Sequence, residues 1–124
     1  MAAFYDRVED TSTSVGTGNF TLSGSPPTGR VSFNSAFGSG GVEAKRFGYV
    51  IQSSDESEWE TGIGYLSGAT TLVRETVTQS SNSNNAVTFS AGSKKVFATL
   101  IGYHAERLST TGRSILLGQR NFLP

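Results

Sequence analysis

Along much of this chain apolar residues recur at every second position, in short runs broken by glycine, proline, serine and asparagine. In KRFGYVIQS, Phe47, Tyr49 and Ile51 share one parity. In EWETGIGYL, Trp59, Thr61, Ile63 and Tyr65 share one parity and Glu58, Glu60, Gly62 and Gly64 the other. A two-residue period is the mark of a half-buried strand. Trp59, Ile63 and Tyr65 are the expected core face of the second run. NFTLS offers Phe20 and Leu22, VSFNSAF offers Val31, Phe33 and Phe37, and TTLVRETVT and AVTFS supply further strands. KVFATLIGY is apolar on both parities (Val96, Ala98 and Leu100; Phe97 and Ile101), which predicts the most buried strand, covered on both sides. VEDTSTSVGTG has β-branched residues but a weak apolar pattern, as an edge strand would.

The separators carry turn chemistry. SGA after Leu66 can close a tight hairpin between EWETGIGYL and TTLVRETVT, and SAGSKK another between Phe89 and Val96. SGSPPTG combines glycine with a proline pair, and GSGG supplies positive φ. QSSNSNN reads as an exposed polar connector. The best helical segment is YHAERL, worth a turn or two. Many short strands at this spacing predict an all-β fold, a small antiparallel β-sandwich or barrel with a short C-terminal extension. The domain spans residues 1–108. Residues 109–124 form an arm with Ile115, Leu116 and Leu117 as one apolar patch and Phe122 and Leu123 near its end. Too short for a core of its own, the arm either packs back on the domain or docks on a neighbouring subunit, and these five residues are the candidate interaction site.

Composition narrows the function classes. A chain of 124 residues is one domain's worth, and 35% hydrophobic content makes its core thin. Ten basic and ten acidic residues cancel. There is no basic footprint for nucleic acid and little self-repulsion to oppose assembly. With no cysteine, disulfides, thiolate metal sites and cysteine nucleophiles are excluded. MAAFYDRVED lacks a basic n-region followed by an apolar run, and nothing approaches the ~18 consecutive apolar residues of a membrane-spanning segment. The expectation is a protein made and folded in a cytoplasm, bound to neither nucleic acid nor membrane.

Reaction chemistry finds little to work with. His104 is the single histidine, and Glu106 stands two positions away, off its helical face. Glu58 and Glu60 could form a carboxylate pair about 7 Å apart on one strand face. A solvated acidic face is the plainer reading, and SSDESEWE lacks the pattern of a calcium loop. No G-x-S-x-G elbow occurs, and Gly62-Ile63-Gly64 fails the phosphate-loop spacing, so those glycines serve a strand bend or a close approach. Lys94 and Lys95 fall in a turn and read as solubilising. Arg74 could pair with Glu58 or Glu60, with a plain surface arginine the simpler reading. No catalytic, cofactor or metal residue is assigned, and no enzyme activity is expected.

Read in order, EDTSTSVGTGNFTLSG, SFNSAFGSG, FGYVIQ, EWETGIGYL, TTLVRETVTQSSN and VTFSAGSKKVFATL resemble a small β-rich structural module of tailed-bacteriophage virion proteins, found in tail, appendage and head-associated proteins. The resemblance covers about residues 9 to 100. The proline pair of SGSPPTG and the stretch after Tyr103 depart from its pattern. It implies a non-catalytic virion component, made in the host cytoplasm, whose partners are other virion proteins and copies of itself, with a host surface receptor as a further candidate. A tail-associated adaptor or fibre-attachment piece is the leading expectation and a head decoration protein the alternative. A third is a receptor- or carbohydrate-binding module stacking sugars on Tyr5, Tyr49 or Tyr103.

Overall fold

The structure is a computed structural model that describes residues 7–40 and 45–99. Among these residues the chain forms six strands and one short helix: β1 (Glu9–Ser12), β2 (Phe20–Thr21), α1 (Phe33–Phe37), β3 (Phe47–Ser53), β4 (Trp59–Gly68), β5 (Thr71–Ser80) and β6 (Lys94–Thr99). All pair antiparallel in the order β1-β6-β3-β4-β5-β2. The two ends of that order meet where Ser12 bridges Leu22 and the Ser23 N–H donates to the Thr11 carbonyl at 2.9 Å. The sheet therefore curls into a nearly closed barrel, and the expected all-β class holds. β1 is the weak strand expected ahead of Phe20, and β4 and β5 form the expected hairpin around Ala69 and Thr70.

β3 sets the core. Phe47, Tyr49 and Ile51 point inward as their parity requires, and all three are fully buried. Across the ladder they face Gly64, Gly62 and Glu60. The inner face of β4 is thus Glu60, Gly62, Gly64 and Leu66, while Trp59, Ile63 and Tyr65 turn outward and are half-buried. This reverses the expected core face. Alternation defines two faces without saying which is inside, and two large rings on β3 need small neighbours beneath them. A Cβ built at Gly62 would overlap the Thr76 carbonyl oxygen and lie 2.8 Å from the Tyr49 hydroxyl; at Gly64 it would overlap the Val73 carbonyl. Residues Thr78 and one between Val73 and Thr76 are extra in the β5 ladder, so β5 is twice bulged where it curls past these glycines.

Three further expectations are corrected. VSFNSAF is a helix over Phe33–Phe37, because a separation of four suits a helical turn as well as a strand parity. Ser32 accepts from the Ser35 N–H at 3.1 Å as N-cap, and Gly38 at φ 78° ends the helix. Phe33, Ala36 and Phe37 are buried, and Phe37 stacks on Phe47 with ring centroids 4.4 Å apart. AVTFS joins no strand: Phe89 makes an isolated bridge to Gly16, and β6 pairs with β1 and β3 instead of forming a hairpin with it. The described part of β6 buries one face, with Lys94 and Val96 inward and Lys95 exposed. YHAERL, the arm 109–124, and Tyr5, Tyr103 and His104 lie outside the described residues.

Candidate functional site

The densest chemistry in the described residues lies inside the barrel. Glu60, read as a solvated acid, is fully buried, and Arg74, read as a surface arginine, has a side chain only 2% exposed. Glu60 projects from the inner face of β4, and Arg74 reaches it from the bulged stretch of β5. Glu60 Oε2 accepts from Arg74 Nε at 2.8 Å and from the Tyr49 hydroxyl at 2.6 Å. Glu60 Oε1 accepts from Arg74 Nη2 at 2.5 Å and from the Val87 N–H at 2.9 Å. The remaining Arg74 protons go to carbonyls: Nη1 donates to Gly16 at 2.9 Å and Gly18 at 3.1 Å, and Nη2 to Val87 at 2.9 Å. A guanidinium has five N–H donors, and here each has an acceptor. The Phe20 and Phe89 rings flank it, with its central carbon 5.0 and 5.3 Å from their centroids.

Burial alone would raise the Glu60 carboxyl. The hydrogen bonds from Arg74, Tyr49 and the Val87 N–H overcome that and hold it below the usual range, ionised. Burial, reinforced by the carboxylate, pushes the Tyr49 phenol far above its ordinary value. Arg74 loses stability as a cation through burial but gains more from Glu60, so it stays charged. The cluster is a satisfied, locked ion pair whose atoms are fully engaged. Tyr49 is committed to it, which removes Tyr49 from any sugar-stacking platform.

A second buried cation sits at the same end. Lys94, expected in a solubilising turn, is only 2% exposed on the inner side of β6. Its ammonium donates to the Ser14 carbonyl at 2.7 Å and to that of Ser90. Burial lowers its pKa, opposed by the charge of Glu58. Glu58 accepts from the Ser90 N–H and hydroxyl at 2.9 and 2.8 Å, which lower its carboxyl. The solvated acidic face expected for Glu58 and Glu60 is thus replaced by two acids with separate tasks. A buried carboxyl mirrors the arrangement: Asp10 accepts from the N–H groups of Thr11 at 2.7 Å and Gly24 at 3.0 Å, and from the Ser23 hydroxyl, anchoring the proline-bearing loop.

Outside, the β3–β4–β5–β6 wall carries half-buried apolar side chains. Val50 lies between Phe97 and Thr61 in the ladder, and Tyr65 opposite Val73. Arg46 lies 4.3 Å above the Tyr65 ring and forms a bidentate pair with Glu75 at 2.9 Å. Beyond Trp59 a tight loop holds Asp55, whose carboxyl is lowered to about 2 by the Ser57 N–H and hydroxyl and the Ser53 hydroxyl. Among the described residues no group of three or more metal-ligating side chains converges, and no helix is long and apolar enough to cross a membrane. Comparison with known protein families, curated proteins and solved structures finds no match to this chain.

Sequence reasoning missed the internal cluster because its members are spread from Gly16 to Val87. One signal was present: glycines at alternate positions of a strand, framed by a glutamate, beside a hairpin partner bearing an arginine. Small residues at strand positions leave room for something large, and here that is the Tyr49 ring.

Proposed function

We propose that the protein is a bacteriophage virion structural component that works by adhesion and not by catalysis. It is most consistent with a tail-associated adaptor or fibre-attachment piece, with a head decoration protein as the alternative position. The observation that carries this reading is where the charged side chains go. Glu60, Arg74, Lys94 and Asp10 are spent on tying loops to the barrel, so the fold invests its polar chemistry in a rigid body and offers outer surfaces for contact. The ordered resemblance to virion modules points the same way, as does a net charge of zero. Contacts would be made by the outer wall and the arm 109–124, with other virion proteins and further copies of this chain as partners.

The test is incorporation. In particles assembled from a gene truncated after residue 108, the protein is expected to fold but to be missing from purified virions by quantitative mass spectrometry. Normal copy number of the truncated chain would refute the assembly role of the arm, and absence of the intact chain from virions would refute the virion reading itself.

A further inference from the structure

The outer wall that the virion reading offers for contact carries an apolar strip that begins near Thr99, the last described residue, and ends near exposed acids. Thr99, the last residue of β6, lies beside Gly48, and Gly48 beside Ile63. Thr99 therefore stands at one end of the strip formed by Val50, Ile63, Tyr65, Val73 and Phe97. Four residues along β4 from Ile63, at ~3.3 Å each and past the outward Thr61, stands Trp59. Past Trp59 stand Asp55 and Glu56, both exposed and without an ion-pair partner among the described residues. The open flank of β5 competes less well for a partner, because its two bulges break the regular ladder an added strand would need.

The sequence supplies a complementary segment. Residues 109–124 contain Ile115, Leu116 and Leu117, then Arg120 three positions on, with Arg113 before them and no acidic residue. With Ile115 over Ile63, the five extended residues to Arg120 span ~17 Å, past the ~13 Å from Ile63 to Trp59 and onto the acidic loop. From Thr99 to Ile115 the chain has 16 residues to cover a distance of two strand spacings, ~10 Å. Tethering so close also gives the segment an effective concentration of order mM at its own barrel, ahead of any second copy in dilute solution.

We propose that, in the free protein, residues 109–124 seat on the outer wall of their own barrel. Ile115–Leu117 cover Ile63, Val50 and Phe97, and an arginine of the arm meets Asp55 and Glu56. This adds to the virion reading, in which the same arm and wall make contacts in the particle, and its test on the free protein is separate from the incorporation test.

Trp59 is the single tryptophan and stands on the strip, so the full chain carries its own probe. The expected result is blue-shifted Trp59 emission, weakly quenched by acrylamide and unchanged over a hundredfold dilution. The full-length Leu116→Asp/Leu117→Asp variant should shift emission to the red and raise quenching, with the far-UV circular dichroism of the barrel retained. Asp55→Asn/Glu56→Gln should produce the same change to a smaller extent, as should added salt. Quenching equal in wild type and both variants would overturn the proposal. Protection that disappears on dilution would also overturn it, naming a second copy as the occupant.

Discussion

The Phe47 end of the barrel and the Glu60 end solve the same problem by opposite means. At the Phe47 end, α1 closes the barrel with rings: Phe33 lies 5.2 Å and Phe37 4.4 Å from Phe47. At the Glu60 end no helix or strand among the described residues closes the gap. Instead Arg74 and Lys94 reach across it to the carbonyls of Gly16, Gly18, Val87, Ser14 and Ser90. The difference teaches where substitution is tolerated. A ring can be traded for another apolar group of similar size, whereas removing one member of a satisfied ion network strands every partner it had.

The largest effect is therefore expected at the polar end. Arg74→Ala leaves Glu60 buried without its cation and should cost about 3–5 kcal/mol in chemical denaturation. Gly62→Ala follows: its new methyl meets the Thr76 carbonyl and the Tyr49 ring, and a loss of roughly 1–3 kcal/mol is expected from the same measurement. Phe37→Leu at the apolar end keeps the burial and loses the stacking, and should cost no more than about 1.5 kcal/mol. If Phe37→Leu proves as damaging as Arg74→Ala, the contrast between the two ends fails.

The contrast also has a pH signature. Glu60 titrates lower in the folded protein than in the unfolded chain, so its contribution is present above the ordinary carboxylate range and is lost as pH falls through its lowered value. Tyr49 titrates higher when folded, so its contribution is complete below the ordinary tyrosine value of ~10 and is lost as pH rises beyond it. Stability measured against pH should fall on both flanks. In an Arg74→Met/Glu60→Leu chain the acid flank should be shallower. The smallest effect belongs to the exposed Arg46–Glu75 pair on the outer wall, where Glu75→Gln should leave the denaturation midpoint unchanged.

Much of the frame was legible from residue pattern. The parity of Phe47, Tyr49 and Ile51, the β4–β5 hairpin and its tight turn, and β1 as a weak edge all follow from local chemistry. What failed was local evidence with two physical solutions. Phe33 and Phe37 fit a strand or a helical turn, and only the Ser32 cap and Gly38 decide. The two faces of EWETGIGYL are equally regular, and the inner one is chosen by contacts with Tyr49 and Arg74 that are distant along the chain. Lys94 looked solubilising because its partners, Ser14 and Ser90, are carbonyls that no side-chain pattern reveals.

Amide hydrogen exchange in full-length Arg74→Lys tests the central claim most directly, since lysine keeps the charge but cannot reproduce the five-donor fork. The account predicts that the amides of Gly16, Val87 and Phe89, which bond across the polar end, lose protection while those of Leu22 and Val31 keep theirs. Unchanged protection at Gly16, Val87 and Phe89, or an equal loss at all five, would contradict it.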